Sequence, residues 1–232
     1  MIKRILRKLI RSAEIFKPSK EQLNIYGKRN RTDKINEHHI FANKNYLDIY
    51  DLYFSKYKNN EISMLEIGIR DGASLRTFRD YFRKGKIIGL DINPETAFED
   101  KRIKTYIGSQ SSSKIIDTIF LENPNISIVL DDGSHVNELT IASFNLIFER
   151  LPSGSLYIIE DLACSYLEDN LKSDIEEGRW PGMDLNDSSI KMINKRKDMD
   201  DFFLAHLRKL DFRTGNIEFI HFWAQICVIK KV

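Results

Sequence analysis

The stretch SIVLDDGSHVNE, residues 127–138, runs a strand-like apolar segment into two adjacent acids, Asp131 and Asp132, and then a glycine, a serine and a histidine. A second stretch, SLYIIEDL at 155–162, ends an apolar run on Glu160 and Asp161 in the same way. Strand side chains alternate, so Asp131 and Asp132 project in different directions, and one can face a cofactor while the other faces a substrate pocket. Three or four carboxylates at neighbouring strand ends repel unless protons or a cation neutralise them. Oxygen-only ligands suit a hard divalent ion such as Mg²⁺ or Ca²⁺, whereas zinc would want more nitrogen or sulfur. His135 falls in the turn beyond Asp132, where an imidazole can serve as a general base near neutral pH. A lone histidine is more often a structural hydrogen-bonder; the acids around this one favour the chemical role.

A glycine turn precedes these motifs. In LEIGIRDGASL, residues 65–75, Gly68 and Gly72 follow G-x-x-x-G spacing rather than the G-x-G-x-x-G dinucleotide fingerprint. Glycine there permits a tight turn and close approach of a ligand to the backbone. Simple strand–turn–helix packing explains the pair nearly as well. Glu66, just before the turn, could hold a cation or a ribose-side partner. Asp91, in IIGLDINPE, follows about two dozen residues later, where a carboxylate can accept a ribose hydroxyl pair of NAD or S-adenosylmethionine. Together these parts suit methyl transfer to an aliphatic alcohol. The sulfonium already activates the methyl group, so the demand falls on a poor nucleophile, a hydroxyl that a bound Mg²⁺ would acidify and orient while His135 removes its proton.

Elements of the right kind exist to position these groups. Strands are expected at 62–68, 86–92, 103–108, 126–132 and 154–161, with helices at 74–82, 111–120 and 136–151 between them. Such alternation indicates a mostly parallel sheet covered on both faces, with ligands at the carboxyl ends of its strands. The closing NIEFIHFWAQICVIKK reads as two tightly joined strands, an antiparallel hairpin that completes a Rossmann-like α/β fold of seven strands. Residues 163–200 read as a polar insertion on the substrate side, suited to a lid, leading into a helix at 198–210. The chain thus divides into an N-terminal helical segment, 1–60, and a catalytic domain, 61–232.

At 232 residues the chain suits one sizeable α/β domain. Its net charge of +2 argues against nucleic-acid binding through bulk electrostatics. Cys164 and Cys227 make neither a disulfide framework nor a metal-ligand spacing, as expected of a reducing cytoplasm. Residues 1–17 carry six basic residues and one acidic one, with apolar residues at helical spacing. The plainer reading is a helix packed on the domain or on a partner subunit of a homo-oligomer; the other is peripheral contact with an anionic membrane. Charge interrupts its apolar residues and leaves no uninterrupted apolar region, so a signal peptide is not expected here.

The assembled motifs resemble the metal-dependent sugar O-methyltransferases typified by the macrocin and mycinamicin enzymes of macrolide biosynthesis. The matching pieces are TDK (32–34) with a following histidine, LEIGIRDGASL, GLDI, VLDDGSH, YIIEDL and IHFWAQICVIKK. The resemblance implies a class I methyltransferase fold, S-adenosylmethionine and Mg²⁺ as cofactors, and a sugar hydroxyl as acceptor. It implies Asp132, Glu160 and Asp161 as metal ligands and His135 as base, with Glu66, Gly68, Gly72, Asp91 and Asp131 around the cofactor. A G-D-Q triplet common in that family reads GSQ here, with Ser109 for the acid and Gln110 retained on the adenine side. His38 and His39 both follow TDK at suitable spacing, and the sequence does not choose between them. Competing readings are a cephalosporin-hydroxylase-like relative, a catechol-type methyltransferase, and a cofactor-binding scaffold without catalysis.

Overall fold

The computed structural model describes residues 22–36, 39–166 and 194–232. The basic stretch 1–17, His38 and most of the insertion 163–200 lie outside them. One eight-stranded sheet runs through the described residues: β1 (Ser63–Ile67), β2 (Lys86–Asp91), β3 (Glu99–Asp100), β4 (Ile103–Ile107), β5 (Ile126–Asp131), β6 (Leu156–Ile159), β7 (Ile217–Trp223) and β8 (Ile226–Lys231). Their spatial order is β3-β4-β2-β1-β5-β6-β8-β7. The five strands β4, β2, β1, β5 and β6 run parallel. β8 enters antiparallel against β6 and pairs with β7 as the expected hairpin. The sheet holds one strand more than the sequence suggested: the two-residue β3 folds back antiparallel on the start of β4 at the edge. A pairing that short leaves no alternating apolar pattern to read.

Among the described residues six α-helices accompany the sheet: α1 (Gln22–Asn30), α2 (Tyr46–Phe54), α3 (Ala73–Tyr81), α4 (Ser113–Glu122), α5 (Asn137–Ile147) and α6 (Arg196–Asp211). The central strands β1, β5 and β6 are buried on both sides, and alternate residues go to two separate cores. On one face Leu65, Ile67, Val129, Tyr157 and Ile159 pack with α4, α5 and α6. On the other, Met64, Ile128, Leu130, Leu156 and Ile158 pack with α1, α2 and α3. The described part of the segment before residue 61 therefore shares a core with the sheet. Leu23, Tyr46, Leu47, Tyr50 and Phe54 are all fully or almost fully buried there.

Candidate active site

A cavity of about 980 Å³ opens beyond the carboxyl ends of the parallel strands, with Gly68, Asp91, Gln110, Asp132, His135 and Asp161 in its walls. This is where an open α/β sheet presents its loops, because the strand order reverses direction beside β1. Gly68 leaves β1 at φ +90°, and a Cβ added there would fall 2.0 Å from the carbonyl oxygen of Asp132. Only glycine lets the β1 and β5 exits lie so close. Gly72 starts α3 at φ +72° and does not line the cavity. Asp91 clamps the glycine turn to β2: its Oδ2 accepts from the backbone N–H groups of Ile69 (2.7 Å) and Arg70 (3.3 Å), and its Oδ1 from that of Asn93 (2.9 Å). Its carboxylate remains partly exposed to the cavity.

Asp131 and Asp132 diverge as strand alternation requires. Asp131 is buried toward α5, where Ser143 Oγ (2.6 Å) and Tyr157 OH (2.9 Å) donate to its Oδ2. Burial raises its pKa, and those hydroxyls oppose the rise. Gln110 Nε2 donates to Asp131 Oδ1 (3.2 Å), while Gln110 Oε1 accepts from the backbone N–H of Ser134 (2.9 Å). Asp131 therefore sits behind the wall and steadies Gln110, which faces the cavity.

Asp132 points to the opposite face, in phase with Glu66 on β1 and Glu160 beyond β6. The register explains this, because Glu66 pairs with Leu130 and Leu130 with Ile158, so Asp132 and Glu160 each lie two residues further along on the same face. Into this convergence comes Lys34, from a short 3₁₀ turn, Asp33–Ile35, ahead of α2. It is 2% exposed. Its Nζ donates to Asp132 Oδ2 (2.7 Å) and to both oxygens of Glu160 (2.8 and 2.9 Å), and lies 3.6 Å from Glu66 Oε1. Burial alone would depress the Lys34 pKa, but the three carboxylates outweigh it and hold the ammonium well above the usual lysine range. Tyr50 donates a further short hydrogen bond to Glu160 Oε1. Glu66 accepts from Ser74 Oγ (2.8 Å), and burial pushes its pKa up to about 8 despite the opposing pull of Lys34. It lies beneath the cavity and is not part of its lining.

Asp161 ends this inner cluster and begins an outer one. Its backbone adopts φ +52°, turning the chain out of strand geometry directly after Glu160. Tyr46 OH donates to its Oδ1 at 2.5 Å, while its Oδ2 lies 3.7 Å from His135 Nε2. Asp132 Oδ1 lies at the same 3.7 Å from that nitrogen. His135 is itself held at φ +55°. Left-handed backbone at two non-glycine residues that meet in a cavity is the pattern expected where a site constrains the chain. One ligand atom from each of Asp132, His135 and Asp161 lies within 4.8 Å of the others, a spacing that admits a cation. Each acid thus has one oxygen anchored from below, by Lys34 or Tyr46, and one turned to the imidazole.

The structure brings Asp132, His135 and Asp161 together at the cavity wall and places Gly68, Asp91 and Gln110 along the same cavity. It sets Glu66, Asp131 and Glu160 behind the wall and Gly72 at the head of α3. Sequence reasoning gave no role to Lys34, Tyr46 or Tyr50. Lys34 lay within the TDK motif. The tyrosines carried a signal too, since Tyr46, Tyr50 and Phe54 recur every fourth residue and so share one face of α2. His39 lines the cavity and packs its ring against Tyr46, with centroids 4.3 Å apart.

No protein-family model matches the chain. It is 36% identical over 140 residues to demethylmacrocin O-methyltransferase of Streptomyces fradiae, and equally so to mycinamicin VI 2''-O-methyltransferase of Micromonospora griseorubida. Each alignment covers 57% of this chain and 32% of the relative, so the matched region spans about a third of the length of those enzymes. Among solved structures, MycE methyltransferase from the mycinamycin biosynthetic pathway, in complex with Mg, SAH and mycinamycin VI, superposes with a TM-score of 0.68 at 26% identity. That match covers 92% of this chain and 55% of MycE. In sequence the chain is similar to these O-methyltransferases, and in structure it shares the class I methyltransferase fold of MycE.

Proposed function

We propose that this chain catalyses metal-assisted methyl transfer from S-adenosylmethionine to a hydroxyl of a sugar-containing small molecule. The observation that carries the reading is His135 Nε2 held 3.7 Å from both Asp132 Oδ1 and Asp161 Oδ2 at the wall of the cavity that the glycine turn opens. The residues present fit both cofactors. A nucleoside suits the glycine-lined end, where Asp91 offers a carboxylate and Gln110 is fixed by Asp131 and Ser134. A hard divalent ion suits the oxygen-rich outer cluster of Asp132 and Asp161. When bound, S-adenosylmethionine supplies an activated methyl group and the ion supplies charge stabilisation and orientation for the acceptor oxygen.

The chain's own groups do the rest. His135 Nε2 is placed to accept the proton of the acceptor hydroxyl, and the two flanking carboxylates would stabilise the imidazolium so formed. Tyr46 and Lys34 keep those carboxylates in place. A further relative, 32% identical over 128 residues, is named as an 8-demethyl-8-alpha-L-rhamnosyl tetracenomycin-C 2'-O-methyltransferase of Streptomyces olivaceus, which favours a glycoside over a simple phenol as acceptor.

Calorimetric titration of EDTA-treated protein with S-adenosylhomocysteine, with NAD as control, tests the cofactor. Binding of the first alone supports the reading, and incubation with S-adenosylmethionine, Mg²⁺ and a panel of glycosides should then give a one-methyl mass gain. Binding of NAD, or of neither ligand, would overturn it.

A further inference from the structure

Single exposed apolar side chains are ordinary on a protein surface, but a cluster of them set among basic residues is not. Three large ones lie ahead of α2: Ile25 on α1 is 58% exposed, Ile40 48% and Phe41 69%. Phe41 begins a tight reversal over residues 41–44. Its N–H donates to the Lys44 carbonyl (2.9 Å), and the Lys44 N–H donates back to the carbonyl of Phe41 (3.0 Å). Ala42 and Asn43 take φ +50° and +60° at the tip, and residues 40–44 are all exposed. The next residue, Asn45, donates from Nδ2 to Asn24 Oδ1 (2.8 Å), which seats the turn against α1 beside Ile25. Lys28, Arg29 and Arg31 at the end of α1 and Lys44 on the turn are exposed too. Two acids of the same region are tied down, Asp33 by Arg70 and Asp48 by Asn24 and Asn45.

We propose that this face, the outer side of α1 with the 41–44 turn, docks on an anionic lipid surface. Ile40 and Phe41 enter the boundary between headgroups and hydrocarbon, Ile25 packs beside them, and the four basic residues meet the lipid charge. Aliphatic and aromatic side chains at the tip fit hydrocarbon, whereas a nucleic-acid backbone would be met by basic and polar groups. The charge pattern of residues 1–17 raised membrane contact from sequence alone. The face on α1 and the turn is a separate feature, and the six basic residues and one acid of 1–17 give the stretch ahead of it the same sign. The face also adjoins the cavity, because Asp33 and His39, which lie in the chain between Arg31 and Ile40, both line it. Docking therefore holds the cavity mouth beside the lipid. None of this draws on the methyl-transfer reading, so either can fail without the other.

Flotation of the full chain with lipid vesicles tests the proposal, using phosphatidylcholine alone and phosphatidylcholine with about a third phosphatidylglycerol. The wild type should float with the anionic vesicles far more than with the neutral ones, and salt at about 0.5 M should weaken that binding about tenfold or more. Ile40→Ser/Phe41→Ser removes the apolar tip but keeps the hydrogen bonds that close the turn, since backbone groups make them. It should lower binding to the anionic vesicles at least about tenfold. Its thermal midpoint should stay within about 3 °C of wild type, because both side chains are exposed. Ile25→Ser, on a different element, should lower binding about threefold or more and gives a second reading of the same face. Failure of the wild type to float overturns the proposal, and so does equal flotation of the wild type and these variants, which would assign the contact to another part of the chain. A wild-type dimer that Ile40→Ser/Phe41→Ser dissociates, read by light scattering, would give the face to a second copy of this chain and overturn it too.

Discussion

Asp132 has a different partner on each oxygen, and its loss should be felt unevenly. Asp132→Asn keeps the shape and removes the charge that flanks His135. Turnover should fall at least about a hundredfold, while S-adenosylhomocysteine binding in EDTA stays near wild type, since the glycine turn, Asp91 and Gln110 are untouched. Wild-type turnover in this variant, or full activity of the wild type in excess EDTA, would remove the metal from the mechanism. Tyr46→Phe deletes the bond to Asp161 Oδ1 and nothing else of size. It should cost about tenfold to a hundredfold in turnover, as loss of an outer partner typically does, read as a fall in kcat with little change in acceptor KM. Why the sequence revealed one half of this site and hid the other follows from residue type. Acids and a histidine at strand ends stand out because they are costly unless used. A lysine in a polar N-terminal segment reads as surface, since lysine is almost never fully buried unless it is paired. Only the folded register brings Glu66, Asp132 and Glu160 to one face and so creates the partner that buries Lys34.

At the scale of elements, the glycine turn is where backbone geometry and chemistry depend on one another most closely. Gly68 combines φ +90° with a Cβ position 2.0 Å from the Asp132 carbonyl oxygen, so Gly68→Ala must push the β1 and β5 exits apart. We expect a stability loss of about 2–3 kcal/mol from strain and displacement together. It should appear as a lower urea midpoint with an unchanged denaturant slope. An alanine variant of wild-type stability would mean that the two exits are not held together. The parallel strands were legible within a residue or two because each is a short apolar run bounded by polar turns, as in SMLEI and ISIVLD. The helices between them were legible for the same reason. The two-residue β3 was not, and neither was the departure from strand geometry at Asp161, which reads as the next residue of an apolar run yet turns at φ +52°. Local pattern carries periodicity, but it does not say where a strand must break to aim a side chain.

For the molecule as a whole, the acids buried under the N-terminal helices couple folding to protons. Burial lifts Glu66 to about 8 in the folded protein, against about 4.3 for an unfolded glutamate. Between those two values the folded chain holds a proton that the unfolded chain has released. Unfolding therefore sheds a proton, and Glu66 makes stability fall as pH rises through that window. The slope should flatten below about pH 4, where both states are protonated, and above about pH 8, where both are ionised. The full span is on the order of a few kcal/mol. Burial also raises Asp131 and Glu160, so both add to the same trend in the wild type, and a single curve cannot apportion it. The difference between two curves can. Glu66→Gln replaces the carboxyl with a group that does not titrate, and Ser74 can still donate to the amide oxygen. Relative to wild type, the variant should therefore gain stability steadily from pH 5 to pH 8 in urea melts. Parallel curves would show that Glu66 is ionised throughout, and that the ammonium of Lys34 outweighs burial at this position.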